Sequence, residues 1–269
     1  MSSEFQDKVI VVTGAASGIG AAVCDRFARD DACIQLLDRD EEGVKAAADR
    51  LRADGFNARG YRCEVTREEE CKAVIAQIIE QCGGIDVLVN NAGITQRSAF
   101  VDTAASVYRR VMDVNFFGSL YCTKAAIGSL IARQGMIIVI ESLAGVAPLL
   151  GRTGYCASKH ALHGFFTTLR TEIRDSGVHI MIVCPGFVET NLQTRALGGD
   201  GQVTTHPQSV VGKPTSAARV AADIYDGAIK RKQLLVLTPV GKLSYWVNRL
   251  VPKLYERIMV RQVRDELER

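Results

Sequence analysis

An α/β fold, doubly wound around a seven-stranded parallel sheet with helices on both faces, is what this sequence predicts, and three observations predict it. Short β-rich runs alternate with longer amphipathic stretches. The runs are almost continuously apolar, and a glycine-rich turn joins the first run to the first amphipathic stretch. Alternation of this kind means strand–helix–strand units, and near-continuous apolar strands belong to a parallel sheet covered on both sides. The chain has 269 residues, 47% of them apolar and 23% charged. That is a normal size for one such unit and enough to bury a large core. Residues 1–239 therefore read as a single domain, followed by an extension over 240–269.

The predicted strands lie, in order, in "KVIVVTG", "ACIQLLD", "FNARGYRCEV", "DVLVNNAG", "GMIIVIES", "VHIMIVCPG" and "QLLVLTP". Helical patterning fills the intervals at 18–29, 42–54, 67–82, 104–131, 155–175 and 216–230. The one long irregular stretch, about 188–214, is rich in Gly, Thr, Ser and Pro. A stretch that long inside a compact domain reads as a lid or binding loop.

Composition excludes several classes. The longest apolar runs fall far short of a membrane span, and "MSSEFQDK" has neither a secretory nor a transit pattern, so a cytoplasmic protein is expected. The eight cysteines form no C-x-x-C pair and no zinc-like spacing with histidine, which predicts reduced thiols and no metal. A net charge of +3 gives no reason to expect a nucleic-acid partner.

The turn "TGAASGIG", residues 13–20, lies between the first strand and first helix. Gly14 permits a tight turn, Gly18 lets backbone approach a pyrophosphate, and Gly20 lets helix pack closely on sheet, with phosphate at the positive helix end. Asp38 ends the second strand, eighteen residues beyond Gly20. An acid there can bind both ribose hydroxyls of an adenosine and repel a 2′-phosphate, which favours NAD. Ser17 supports the same choice, since the loop offers no basic residue; Arg39 keeps NADP open. In "YCASK" (155–159), Tyr155 and Lys159 stand one helical turn apart, and a phenol beside an ammonium is an activated phenol.

These residues, with "NNAG" (90–93), "VNFFG" (114–118), Ser142 thirteen residues before Tyr155 and "PGFVET" (185–190), make the chain resemble the short-chain dehydrogenase/reductase family over about residues 7–238. The resemblance implies a Rossmann-type fold and an NAD(P)-dependent oxidoreductase. It implies Tyr155 as general acid/base, Lys159 as the charge that favours phenolate and a ligand of the nicotinamide ribose, and Ser142 as a hydrogen-bond partner of the substrate oxygen. Asn115 would interrupt a long helix and hold a water that relays protons to Lys159. The implied cofactor contacts are Gly14, Ser17, Gly18, Ile19, Gly20, Asp38, Arg39, Glu64, Val65, Asn91, Ala92, Gly93, Tyr155, Lys159, Pro185, Gly186, Val188 and Thr190, with Asn90 near the adenosine ribose. Homodimers or homotetramers through the helices of Asn115 and Tyr155 are implied as well.

Two positions depart from the family pattern. Glu64 replaces a common aspartate, and Glu141 stands before Ser142 where a small residue is usual. Glu141 either enters the site or, as the reading prefers, turns away to a basic partner. Val146, Leu149, Leu150, Phe187 and Leu192 suggest a hydrophobic secondary alcohol or ketone as substrate. Arg97, Arg152 and Arg195 could accept a carboxylate or thioester-linked phosphate, although arginines in such loops are expected to be solvated. Beyond the last strand, Leu243, Trp246, Val247, Leu250 and Val251, then Leu254, Ile258, Met259 and Val263, recur at helical spacing among six basic residues and one acidic residue from Lys242 to Arg264. Such an extension can touch the inner face of a membrane as a peripheral contact, pack on a second subunit, or cover the pocket. A catalytically silent dinucleotide sensor or scaffold is the alternative to an enzyme, and the intact Ser142, Tyr155, Lys159 and Asn115 argue against it.

Overall fold

The structure, a computed structural model, describes residues 4–205 and 212–264. Its strands are β1 (Val9–Thr13), β2 (Cys33–Asp38), β3 (Ala58–Arg62), β4 (Val87–Asn90), β5 (Met136–Ile140), β6 (His179–Cys184), the two-residue β7 (Val188–Glu189) and β8 (Thr215–Ser216), and β9 (Leu234–Val236). Seven of these form one parallel sheet in the order β3-β2-β1-β4-β5-β6-β9, and every predicted strand is among them. Among the described residues β7 pairs with β8 alone.

Both faces of the sheet are buried, which explains the unbroken apolar runs. Along β1, Ile10 and Val12 join one core cluster while Val9 and Val11 join the other. The first cluster is completed by Phe27 of α1 (Gly18–Ala28), Val44 of α2 (Glu41–Ala53) and Ile224 of α7 (Ala217–Ile229). The second is completed by Ile75 of α3 (Glu68–Cys82), Leu130 of α5 (Gly118–Ala132) and Phe166 of α6 (Thr153–Glu172). Local signals set the helix ends. Asp40 caps α2 by accepting from Gly43 N at 3.0 Å, and α3 stops at Gly83, whose φ of 72° suits glycine.

The chain leaves β3 at one side of the sheet and resumes at β4 beside β1, so connections on either side of the β1/β4 pair diverge. A crevice at the carboxyl ends of the strands follows from that switch point.

Three expectations need correction or limits. The helix read over 104–131 is two helices, α4 (Ala105–Met112) and α5, joined by a π-helical turn at Asp113–Phe117. The irregular stretch begins as β7, and Leu197 then bridges Gln96 and Val203 and packs on Val107 and Val111; residues 206–211 of the anticipated lid lie outside the described residues. The C-terminal extension forms α8 (Pro239–Leu250) and α9 (Pro252–Val263), with 265–269 outside the described residues. No helix among the described residues is long and apolar enough to cross a membrane.

Candidate active site

A cavity of about 1180 Å³ opens at the switch point, and its wall runs from Gly14 to Gln262. That exceeds an ordinary ligand pocket and leaves room for a dinucleotide and a second molecule. Its floor is the glycine turn. Gly14 and Gly18 have φ of 67° and 61°, and a Cβ on Gly14 would come within 2.9 Å of Ala92 Cα. Ser17, Gly18 and Ile19 line the cavity at the start of α1. Gly20 does not line it; a Cβ there would overlap the Gly14 carbonyl, so its role is the close packing expected of it.

Asp38 and Arg39 also line the cavity. The Asp38 carboxylate accepts from Ala16 N and Asp40 N, both at 3.0 Å. It therefore fixes the glycine turn to the end of β2 while keeping lone pairs for a ligand hydroxyl. Glu64 and Val65 follow β3, but the Glu64 side chain accepts from Thr66 Oγ1 at 3.1 Å and Thr66 N at 3.3 Å and so serves its own turn.

After β4, Asn91, Ala92 and Gly93 form the opposite wall, with Asn91 Nδ2 donating to Thr13 O at 2.8 Å and Gly14 O at 3.1 Å. Asn90, expected near a ribose, is instead buried and donates to Thr123 Oγ1 at 2.9 Å. Strand alternation sends it into the helix layer and leaves its neighbour to the crevice. Pro185, Gly186, Val188 and Thr190 close the cavity beyond β6.

The chemistry-bearing side chains converge in the same space. Tyr155 and Lys159, both on the buried face of α6, line the cavity with Ser142. Burial pushes the Tyr155 phenol up to about 12, opposed first by its hydrogen bond with Ser142. Lys159 Nζ donates to Ile140 O at 2.9 Å and lies 5.7 Å from the Tyr155 ring centre. Burial pulls Lys159 down to about 8, and the nearby Glu141 carboxylate is the main opposing influence.

Asn115 does not line the cavity; it lies in the π-helical turn one layer behind. Its side chain pairs with Ile94 as a strand would, accepting from Ile94 N at 2.8 Å and donating to Ile94 O at 3.0 Å, and also donates to Ser158 Oγ at 2.8 Å. Its backbone carbonyl accepts from Ser119 Oγ at 2.9 Å. A Cβ on Gly93 would lie 3.2 Å from Asn115 Oδ1 and 3.7 Å from Lys159 Nζ, so the two side chains sit close together behind Gly93.

Glu141 meets both of its anticipated descriptions in part. It lines the cavity wall, yet its Oε2 turns inward to accept from His163 Nδ1 at 3.1 Å and from the Cys184 thiol at 3.5 Å. The other oxygen, Oε1, is buried without a hydrogen-bond partner among the described residues. The basic partner is thus a histidine, raised above its ordinary value chiefly by that bond. A Cβ on Gly145 would overlap Oε1, so the turn after Ser142 accommodates this glutamate only because residue 145 is glycine.

Of the residues suggested for a substrate, Leu149, Phe187 and Leu192 line the cavity, while Val146 and Leu150 do not. Arg97 and Arg152 are buried rather than solvated, and Arg152 lines the cavity with Arg195. Sequence reasoning missed Leu143, Ala147 and Tyr255 as wall residues, and nothing local marked them. Leu243, Val247, Ile258 and Met259 of the C-terminal stripe, for which covering the pocket was one of the three readings, do line the cavity.

A dinucleotide-sized crevice at the switch point, a glycine cradle, and a buried tyrosine and lysine beside a half-buried serine define a Rossmann-type nicotinamide-dinucleotide oxidoreductase. The family model for short chain dehydrogenase matches residues 8–198, and the chain belongs to that family. It is similar to dehydrogenase/reductase SDR family member 7B of Rattus norvegicus, with 34% identity over 97% of this chain and 83% of the relative. Its likeness to the Danio rerio protein of the same name is 32%, over 97% of this chain and 87% of that one. Among solved structures, a short-chain dehydrogenase/reductase from Burkholderia phymatum in complex with NAD shares the fold with a TM-score of 0.83 at 24% identity, over 94% of this chain and 96% of that one. An alcohol dehydrogenase from Thermococcus sibiricus complexed with 5-hydroxy-NADP shares it with a TM-score of 0.73 at 23% identity, over 85% of this chain and 93% of that one.

Proposed function

We propose that the protein is an NAD-dependent dehydrogenase or reductase acting on a hydrophobic secondary alcohol or ketone, with Tyr155 as general acid/base. The observation that carries this reading is the group of Ser142, Tyr155 and Lys159 in one wall of the cavity that also holds the glycine cradle. A nicotinamide dinucleotide held by the cradle would supply or accept hydride at its ring. Tyr155 would give a proton to a substrate carbonyl oxygen or take one from a hydroxyl. Its phenol, raised by burial, needs a cation to act near neutrality, and the Lys159 ammonium would provide one. Ser142 would hold the same substrate oxygen, and Asn115, behind Lys159, would hold a water that relays protons to that lysine.

NAD rather than NADP is favoured by Asp38, whose carboxylate would repel a 2′-phosphate. Solved relatives of the fold are found with either kind of dinucleotide, so the fold itself does not discriminate. The apolar wall at Leu149, Phe187 and Leu192 supports a lipophilic substrate. Homo-oligomers are supported by the aromatic surface of the π-helical turn and α6, where Phe117 is part-exposed and Phe116 and Phe165 meet at 5.7 Å. We place the protein in the cytoplasm or peripherally at a membrane face; among the described residues no helix is long and apolar enough to cross a membrane.

The test is Tyr155→Phe, assayed with hydrophobic secondary alcohols and ketones alongside the wild type. Turnover falls by about 10²–10⁴-fold, the range general acid/base catalysis supplies, while fluorescence titration shows NADH binding nearly unchanged. Equal turnover in the two proteins refutes the assignment.

A further inference from the structure

The helix pair α8 and α9 has two faces. The inner one is tied to the domain: Met259 and Val263 are buried, Asn248 Nδ2 donates to Val146 O at 2.8 Å, and Tyr255 OH donates to Pro148 O at 3.3 Å. The outer one is apolar and open. Leu243, Trp246, Leu250, Val251, Leu254 and Ile258 are all exposed, Leu250 by 71% and Leu243 by 66%. Monomeric surfaces rarely leave such large side chains contiguous without a use for them.

Charge says what kind of surface would cover this face. Lys242, Arg249, Lys253, Arg257 and Arg261 are exposed on the same two helices, with Glu256 as the single acid between Lys242 and Arg264. None of these five cations has an ion-pair partner among the described residues, whereas Lys45 and Lys72 on α2 and α3 pair with Glu41 and Glu68 one turn away. An isologous contact with a second copy would set this cationic patch against itself, which repels. Nucleic acid would leave the leucines uncovered. An anionic bilayer surface matches both features at once: apolar side chains enter the acyl boundary and cations meet the headgroups.

We propose that α8 and α9 form a docking face for an anionic lipid surface, at the mouth of the active-site cavity. Each helix has 12 residues, too short to cross a bilayer, so both would lie in its plane. Leu243 and Ile258 belong to two surfaces, being exposed and also part of the cavity wall. The apolar lip of the cavity is therefore continuous with the docking face, and a lipid-soluble substrate could pass from the bilayer into the cavity without crossing bulk water. Docking stands on this surface alone; only the delivery of substrate rests on the oxidoreductase reading.

Trp246 is the chain's single tryptophan, and it reports on the face directly. The full chain is mixed with phosphatidylcholine vesicles prepared with and without phosphatidylserine, and partition is read by cosedimentation and by tryptophan emission. Expected are partition favoured by phosphatidylserine, weakening with salt, a blue shift, and quenching by brominated acyl chains. The double variant Leu250→Glu, Leu254→Glu abolishes binding, and Lys253→Glu with Arg257→Glu lowers it by about tenfold or more. NADH titration stays unchanged in both. Three results overturn the proposal: no partition, equal partition with and without phosphatidylserine, or a blue shift that follows protein concentration in the absence of lipid, which would mark a second copy as the occupant. Vesicle binding without NADH binding would sustain docking while refuting the oxidoreductase reading.

Discussion

Burial pulls Lys159 down to about 8 while the buried Glu141 carboxylate pulls it back up. The lysine's charge near neutrality thus depends on a residue outside the Y-x-x-x-K pattern. Lys159 is charged below its folded value and loses that charge as pH rises through it, and with the charge would go the help proposed for the phenolate. Removing the carboxylate moves that loss to lower pH. In Glu141→Gln the basic limb of the kcat/KM profile, which reports the free enzyme, shifts down by about one pH unit. In His163→Gln it stays or moves up, because the carboxylate then acts on Lys159 without a neighbouring imidazolium. A merely structural pair would move both profiles in the same direction, so like shifts in the two variants would refute the electrostatic role. The sequence exposed Glu141 as unusual but not its direction. It follows the last residue of β5, where strand alternation gives way to a turn and no longer decides which way a side chain points.

At the scale of elements, the inner strands were legible because a strand buried on both faces is a nearly uninterrupted apolar run, and Val9–Thr13 and Met136–Ile140 are buried at every position, whereas the edge strand β3 exposes Arg59 and Arg62. The break between α4 and α5 was not, since one extra residue in a turn leaves helical patterning almost intact on either side. Only the resemblance pointed to an interruption at Asn115. The alternation that hides Asn90 and presents Asn91 could be stated only once the ends of β4 were known. The 3₁₀ turn Leu143–Gly145 shows how element and site are coupled, because Gly145 makes room for Glu141 Oε1. Gly145→Ala should lose about 1–3 kcal/mol by overpacking. Glu141→Ser combined with it should restore most of that loss, as contacting residues are not additive. Urea denaturation of the two single variants and the double variant measures the coupling; strict additivity would mean that the two residues do not meet.

For the molecule as a whole, the cavity draws its wall from both halves of the sheet and from the C-terminal helices, so a ligand seated there links segments that are otherwise joined only through the core. A ligand that binds only the folded state stabilises it by mass action, about 2.7 kcal/mol at a hundredfold excess over Kd. For a chain of this size that corresponds to a rise in Tm of about 5–10 °C. NADH at that excess should produce such a rise, and NADPH at equal concentration a smaller one, because Asp38 faces the ribose end of the cradle without a compensating cation inside the glycine turn. Asp38→Ser should narrow or reverse the difference. That variant also surrenders the carboxylate's bonds to Ala16 N and Asp40 N, so its Tm without ligand falls first, and the comparison is between shifts rather than absolute values. A larger shift with NADPH in the wild type would mean that Arg39, exposed at the same edge of the cavity, turns toward the phosphate and outweighs Asp38, and the reaction would then run as ketone reduction.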